Sequence, residues 1–192
     1  DGWSQCPQRD DEWLCDDHTC PGGCQCYGST FLCAQPFHAG LFTHLRYLDG
    51  SGTNMTLANV SSNRYLVYLK LASCLIVNIP QMTLPNLQHL DLTDNVIVEM
   101  NMTVFLDLLN LKVLVLTRNP LETITSEPTN QHHYVLRTID LSFTKLKVFS
   151  SSKFSAFRTL EHLNLSHTAL DTIDQDGFRH IPALVNLDVR AS

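Results

Sequence analysis

Six of the seven cysteines, Cys6, Cys15, Cys20, Cys24, Cys26 and Cys33, fall in the first 33 residues of the 192-residue chain. Thiols at that density serve a metal ion or a disulfide framework, and the redox compartment separates the two. Asn-x-Ser/Thr sequons begin at Asn54, Asn59, Asn101 and Asn164. As acceptors for N-glycosylation they point, together with the cysteines, to an oxidising, extracellular setting. The tight Cys24-x-Cys26 step also speaks against zinc. Spacing alone leaves three pairings open for Cys20, Cys24, Cys26 and Cys33.

The histidines invite a metal or catalytic reading, which their positions do not sustain. His132 and His133 are adjacent and lack a partner at metal-ligand spacing. No Ser/His/Asp or Cys/His set can be assembled from recognisable motifs, and no glycine-rich phosphate loop is present. Enzyme activity is therefore not expected. With 44% apolar residues, 17% charged residues and a net charge of −6, the chain can bury a core but offers no clustered basic face for nucleic acid. No run of eighteen apolar residues occurs, so this segment is not expected to enter the membrane. It also lacks a charged-then-apolar leader. Asp1 thus reads as an internal position of a longer chain, with any membrane anchor outside it.

The elements that position these side chains come from an internal repeat. Leu66-x-x-Leu69-x-Leu71-x-x-Cys74-x-Ile76 recurs from Leu87, Leu111, Leu136 and Leu160, with Asn95, Asn119, Thr144 and Thr168 at the ninth position. A degenerate copy begins at Leu45 and a truncated one at Leu184, giving spacings of 21, 21, 24, 25, 24 and 24 residues. These are the template and period of a leucine-rich repeat. Alternation across Leu-x-Leu makes a short strand with its apolar side chains inward. The ninth side chain serves the turn that follows, and Cys74 on that ladder reads as a buried small polar filler. The apolar pairs Met100 and Phe105, Phe149 and Phe154, and Ile173 and Phe178 are expected to close the coils. The copy from Leu111 lacks such a phenylalanine and carries Ser126 to Asn130 and His132-His133 instead, which predicts an irregular outer loop. One coil cannot bury its apolar face alone, so the repeats must stack. The expected fold class is an α/β solenoid, a leucine-rich-repeat horseshoe with a parallel concave sheet and a disulfide-bonded N-terminal cap.

Cys20-Pro21-x2-Cys24-x-Cys26-x6-Cys33 resembles the N-terminal flank of extracellular leucine-rich-repeat proteins. That resemblance implies Cys20–Cys26 and Cys24–Cys33 bonds. Upstream, Asp1-Gly2-x3-Cys6-x4-Asp11-Glu12-x2-Cys15 resembles the C-terminal half of an LDL-receptor class A module. In that family carboxylates bind calcium, which implies Asp1, Asp11 and Glu12 as ligands and Trp3 as the donor of a backbone carbonyl. Gln5 stands where a carboxylate is usual, and one charge fewer weakens a calcium site. A second reading of the same stretch is an acidic leader. The combination of module, cap and solenoid resembles the ectodomain of the relaxin-receptor-like leucine-rich-repeat G-protein-coupled receptors, including their molluscan members. Three units follow: residues 1–15 as the half-module, 16–40 as the cap and 41–192 as about seven repeats, the last truncated.

Between the inward leucines, two rows of side chains face the concave side. One reads Tyr47, Tyr68, His89, Val113, Thr138, His162 and Asn186; the other reads Asp49, Lys70, Asp91, Val115, Asp140, Asn164 and Asp188. His89 and His162 are three repeats apart, about 14 Å at strand spacing, too far to share an ion. Four aspartates against one lysine make an acidic stripe that would steer a basic peptide or protein ligand. Asp91, Asp140, Asp188, Tyr68, His89 and His162 are the candidate contacts. An aspartate in Leu-Asp-Leu can equally serve the strand or the next turn. A glycan at Asn164 would obstruct the concave face. The functional expectation is the extracellular side of a cell-membrane receptor, acting with its own transmembrane domain. A matrix or adhesion protein without a signalling role is the alternative.

Overall fold

The computed structural model describes residues 20–39, 42, 45–61, 63–127, 129, 131, 133 and 135–190. The half-module, with Asp1, Trp3, Asp11, Glu12, Cys6 and Cys15, lies outside the described residues, and so does His132.

Strands β1 (Cys24–Tyr27) and β2 (Thr30–Cys33) form an antiparallel hairpin. Disulfides Cys20–Cys26 and Cys24–Cys33 staple it, the second joining residues that face each other in the hairpin. β2 then pairs in parallel with β3 (Tyr47–Asp49), setting Phe31 opposite Leu48. Phe31 meets the Phe42 ring edge-on at 5.0 Å and lies 6.0 Å from Phe37. The cap thus covers the first leucine layer with a phenylalanine cluster, as an exposed solenoid end requires.

The following strands are β4 (Tyr68–Lys70), β5 (His89–Asp91), β6 (Glu99–Asn101), β7 (Val113–Val115), β8 (Thr123–Thr125), β9 (Thr138–Asp140), β10 (Val148–Phe149), β11 (His162–Asn164), β12 (Thr172–Ile173) and β13 (Asn186–Asp188). The main sheet runs β1-β2-β3-β4-β5-β7-β9-β11-β13, parallel from β2 onward. On the outer face β6 pairs with β8 and β10 with β12. The helical component there is 3-10, at Leu57–Asn59, Met102–Phe105 and Ser151–Phe154.

Period-two alternation fixes which side of each strand is buried. Leu66, Leu69 and Leu71, and their counterparts through Leu165, are buried. Each contributes about 1.5–3 kcal/mol relative to exposure. After the third leucine the chain must leave the sheet abruptly. The residue before the ninth position does this in the left-handed region: Gly52, Ser73, Asp94, Arg118, Phe143 and His167, with φ between 54° and 72°. Only glycine adopts that conformation without steric cost, so this column stores strain that the ninth side chain offsets. Asn95 Oδ1 accepts from the Cys74 and Ile76 amides at 3.0 and 2.9 Å, while its Nδ2 donates to the Leu71 and Leu92 carbonyls at 2.8 and 2.9 Å. Asn119 repeats the pattern toward Ile97, Leu92 and Leu116. At Thr144 and Thr168 the hydroxyls donate to the Leu141 and Leu165 carbonyls. Cys74 is unoxidised and buried, its thiol donating to the Gly50 carbonyl at 3.2 Å.

Two expectations need correction on the outer side. Met100, Phe105, Phe149 and Phe154 are buried, but Ile173 is 44% exposed. Its strand pairs only with β10, and nothing among the described residues stacks on its far side. Phe178 is partly buried and lies 5.3 Å from Phe149. The second concerns His133, which is buried within the solenoid instead of lying on an outer loop. It stands three residues before Leu136, as Leu84, Leu108 and Phe157 stand before Leu87, Leu111 and Leu160. The histidine therefore supplies a polar member of an inward column whose neighbours are apolar.

Candidate ligand-binding face

In-register pairing turns the two sequence rows into two physical ladders. Tyr47, Tyr68 and His89 are successive partners across β3, β4 and β5. Strand spacing brings their rings within reach of one another, and they stack: Tyr47 on Tyr68 at 4.2 Å and 6°, Tyr68 on His89 at 4.4 Å and 14°. Each such contact contributes about 0.5–1.5 kcal/mol beyond area burial. The Tyr68 hydroxyl is pushed up to about 12 by burial, by its hydrogen bond with Tyr47 and by the negative field of Asp91 and Asp49. Burial moves the His89 imidazole below its ordinary value, a shift that Asp91 opposes and Lys70 reinforces. Tyr68 and His89 are therefore uncharged at neutral pH, flanked by Asp49, Lys70 and Asp91.

The aspartates hold the backbone as well as face outward. Asp49 Oδ1 accepts from the Ser51 amide at 3.0 Å, Asp91 Oδ1 from Thr93 N and Oγ1 at 2.9 and 2.6 Å, and Asp140 Oδ1 from the Ser142 amide at 2.9 Å. Asn164 does the same for Ser166 at 3.0 Å. The row is thus a column of side-chain turns that satisfy the amide two residues on. Asp188 differs. Arg190 grips both its oxygens, at 3.0, 3.2 and 2.6 Å, and holds its carboxyl down at about 2. That ion pair cancels much of the charge expected at this end of the stripe.

The six candidate contacts do not form one site. Tyr68, His89 and Asp91 sit together at the ladder. Asp140, His162 and Asp188 line a separate open hollow of about 640 Å³ between β9, β11 and β13, together with Asn164 and Asn186. Within it Asn164 Nδ2 donates to Asp140 Oδ2 at 3.3 Å, and Asn186 lies 3.2 Å from His162 Nδ1. β7 separates the two clusters and presents Val113 and Val115. Among the described residues no group of three or more His, Cys, Asp or Glu gathers where it could hold a metal, and no helix is long and apolar enough to cross a membrane.

The sequons have distinct surroundings. Asn54 is exposed. Asn59 Oδ1 accepts from Thr56 N and Oγ1, both at 2.8 Å, and Asn101 caps the helix that follows it by accepting from Thr103 N and Oγ1. Asn164 alone lies on the sheet face.

A second lateral ladder escaped the sequence reading. Arg118 lies 5.5 Å over the Phe143 ring, which stacks on His167 at 4.4 Å. Their common place just before the ninth position was the available signal.

Residues 135–191 match the leucine rich repeat family. The chain is similar to the transforming growth factor beta activator LRRC32 of Mus musculus, 34% identical over 84 residues, covering 42% of this chain and 12% of that protein. It is similar to Tsukushi of Gallus gallus, 39% identical over 75 residues, covering 38% and 20%. Toll-like receptor 9 of Mus musculus is 29% identical over 183 residues, covering 85% and 18%. The chain therefore spans a fifth or less of the length of these relatives. Among solved structures, the TLR13–ssRNA13 complex superposes with a TM-score of 0.68 at 30% identity, covering 79% of this chain and 23% of that one. The leucine-rich repeat domain of APL1B shares the fold, with a TM-score of 0.56 at 16% identity over 72% of this chain and 40% of its own. Together with the stapled hairpin and the stacked parallel strands, these likenesses give the chain its place: a leucine-rich-repeat solenoid with a disulfide-bonded N-terminal cap region.

Proposed function

We propose that this chain is an extracellular ligand-binding or regulatory segment, and that its sheet face takes a basic peptide or protein. The observation that carries this reading is the half-buried Tyr47–Tyr68–His89 stack with Asp49 and Asp91 beside it. An arginine or lysine laid over these rings gains a cation–π contact while meeting a carboxylate. The face is preorganised because strand register and side-chain turns already fix its rings and oxygens, which lowers the ordering cost of binding. The hollow around Asp140 and His162 offers a second contact for the same ligand. The TLR13 structure holds a single-stranded RNA, but aspartates recurring along this sheet repel phosphate, so the partner proposed here is a protein.

The receptor reading places this segment on the outer side of the cell membrane, with a seven-helix domain elsewhere in the same protein and calcium held by Asp1, Asp11, Glu12 and the Trp3 carbonyl. Its support is the resemblance of residues 1–15 to the LDL-receptor class A module. The matrix reading draws support from the likeness to an activator of transforming growth factor beta. The full-length transcript separates them: seven apolar spans support the first, and a chain without spans supports the second.

The sheet-face reading is tested by surface plasmon resonance of the secreted protein against a panel of basic hormones and growth factors. For a bound ligand, Tyr68→Ala and Asp91→Lys should each weaken affinity by at least about tenfold. Unchanged affinity in both variants would remove the sheet face as the binding surface.

A further inference from the structure

The outer face contains a break that the main sheet does not. β7 and β9 pair in register on the sheet side, yet β8 and β10, which belong to the same two turns, lie in different two-stranded sheets. On one side of the break the Glu122 and Thr123 amides donate to the Val98 carbonyl; on the other the Asp171 and Thr172 amides donate to the Lys147 carbonyl. The repeat from Leu111 is the longest, at 25 residues; it has no phenylalanine, and among its described residues there is no 3-10 helix like those of its neighbours. β8 and β10 form no ladder with each other, and a groove of about 400 Å³ lies between them.

The groove is lined by Ile124, Val148 and Phe149, by Lys145, Lys147 and Lys153, and by Glu122 as its one acid. Three of the five lysines of a chain with net charge −6 converge here. Among the described residues none of the three is in an ion pair. Val148 is 55% exposed although it lies in a strand. A solvated lysine face needs no apolar floor, and an exposed apolar contact needs no cations around it. Here both occur at facing strand edges that form no ladder with each other.

We propose that this groove docks an extended acidic segment of a partner protein, with one large apolar side chain on the Ile124–Val148–Phe149 floor and flanking carboxylates at Lys145, Lys147 and Lys153. Strand edges bind extended peptides through main-chain hydrogen bonds, and alternate side-chain pockets set the specificity. A sulfated polysaccharide would meet the lysines but leave the floor in water, so an acidic peptide fits better. This surface is separate from the sheet face and stands whether or not that face binds a ligand.

The test is selection from a randomised peptide display library on the intact secreted protein, followed by fluorescence anisotropy of the enriched peptides. The expected peptides carry an aromatic or aliphatic residue between acidic ones. They should bind the Lys147→Glu/Lys153→Glu variant at least about tenfold more weakly and the Lys147→Arg/Lys153→Arg variant about equally. Binding should persist in Tyr68→Ala, which separates this groove from the sheet face. The proposal is overturned if no peptide is enriched, if enriched peptides are not acidic, or if replacing the apolar residue by serine leaves affinity unchanged. Preferential capture of a sulfated heparin-type oligosaccharide over every peptide would overturn it as well.

Discussion

The Nε2 of His133 lies 2.7 Å from the carbonyl oxygen of Leu108, so a histidine is buried where adjacent turns place leucine and phenylalanine. Its Nδ1 accepts from the Leu136 amide at 3.1 Å. The ring therefore holds one proton, on Nε2, and both nitrogens are engaged while it is neutral. It links two turns by a bond that an apolar residue at this position cannot make.

Burial lowers the His133 imidazole below its ordinary value of 6.5, against a smaller opposite effect of the Leu108 carbonyl. As pH falls through the unfolded value, the unfolded chain takes up a proton that the folded one refuses, so stability declines from there down to the depressed folded value. Urea denaturation between about pH 7.5 and about pH 5.5 should show this loss. In His133→Leu the pH dependence should shrink, with His89 supplying a remainder of the same sign. An undiminished slope in the variant would remove His133 as its source.

Asn95 is the most connected of the ladder residues, serving two amides and two carbonyls of two turns. Asn95→Ala strands these groups in a buried place, at about 1–3 kcal/mol for each one left without a partner. Urea unfolding should therefore show a loss of at least about 3 kcal/mol. Asn95→Thr should lose less, because Thr144 and Thr168 already occupy this column with hydroxyls that donate to the Leu141 and Leu165 carbonyls.

The Tyr68 hydroxyl, raised to about 12, predicts an alkaline effect of definite sign. Above the ordinary tyrosine value of 10.0 the unfolded chain loses this proton before the folded one does, so stability falls as pH rises toward 12. Tyr68→Phe keeps the stacked ring and should flatten that decline. Thermal melts of both proteins at about pH 9 and about pH 11 compare the slopes directly.

Asn164 Nδ2 donates to Asp140 Oδ2 on the sheet face, whereas Asn54 is exposed away from that row. On the sheet-face reading a glycan belongs at Asn54 and not at Asn164. Peptide mapping of the secreted protein before and after enzymatic deglycosylation should find Asn54 modified and Asn164 bare. A fully occupied Asn164 would place a large polar group over the Asp140–His162 hollow and exclude it as a protein contact.

Much of the fold was legible because its determinants are local and periodic. Leu66, Leu69 and Leu71 announce a three-residue strand by alternation, and recurrence through Leu160 announces the stacking. The ninth position told that Asn95 and Cys74 share a ladder. Ile173 shows the limit of that logic, since an anchor in the pattern is buried only when another layer covers it.

By itself, then, the sequence determined the solenoid, its parallel register and the two rows of outward side chains, because a single strong constraint, apolar burial at fixed spacing, repeats along the chain. Tertiary structure decided the rest. It split the six expected contacts into a ring ladder and a hollow, since stacking of Tyr47, Tyr68 and His89 depends on rotamers and distances that no spacing encodes. It tied each aspartate to the turn after its strand and paired Asp188 with Arg190, because a carboxylate takes whichever donor the folded backbone presents. It also buried His133 and opened the lysine-rimmed groove, where the deciding event is a pairing between β8 and β10 that does not form.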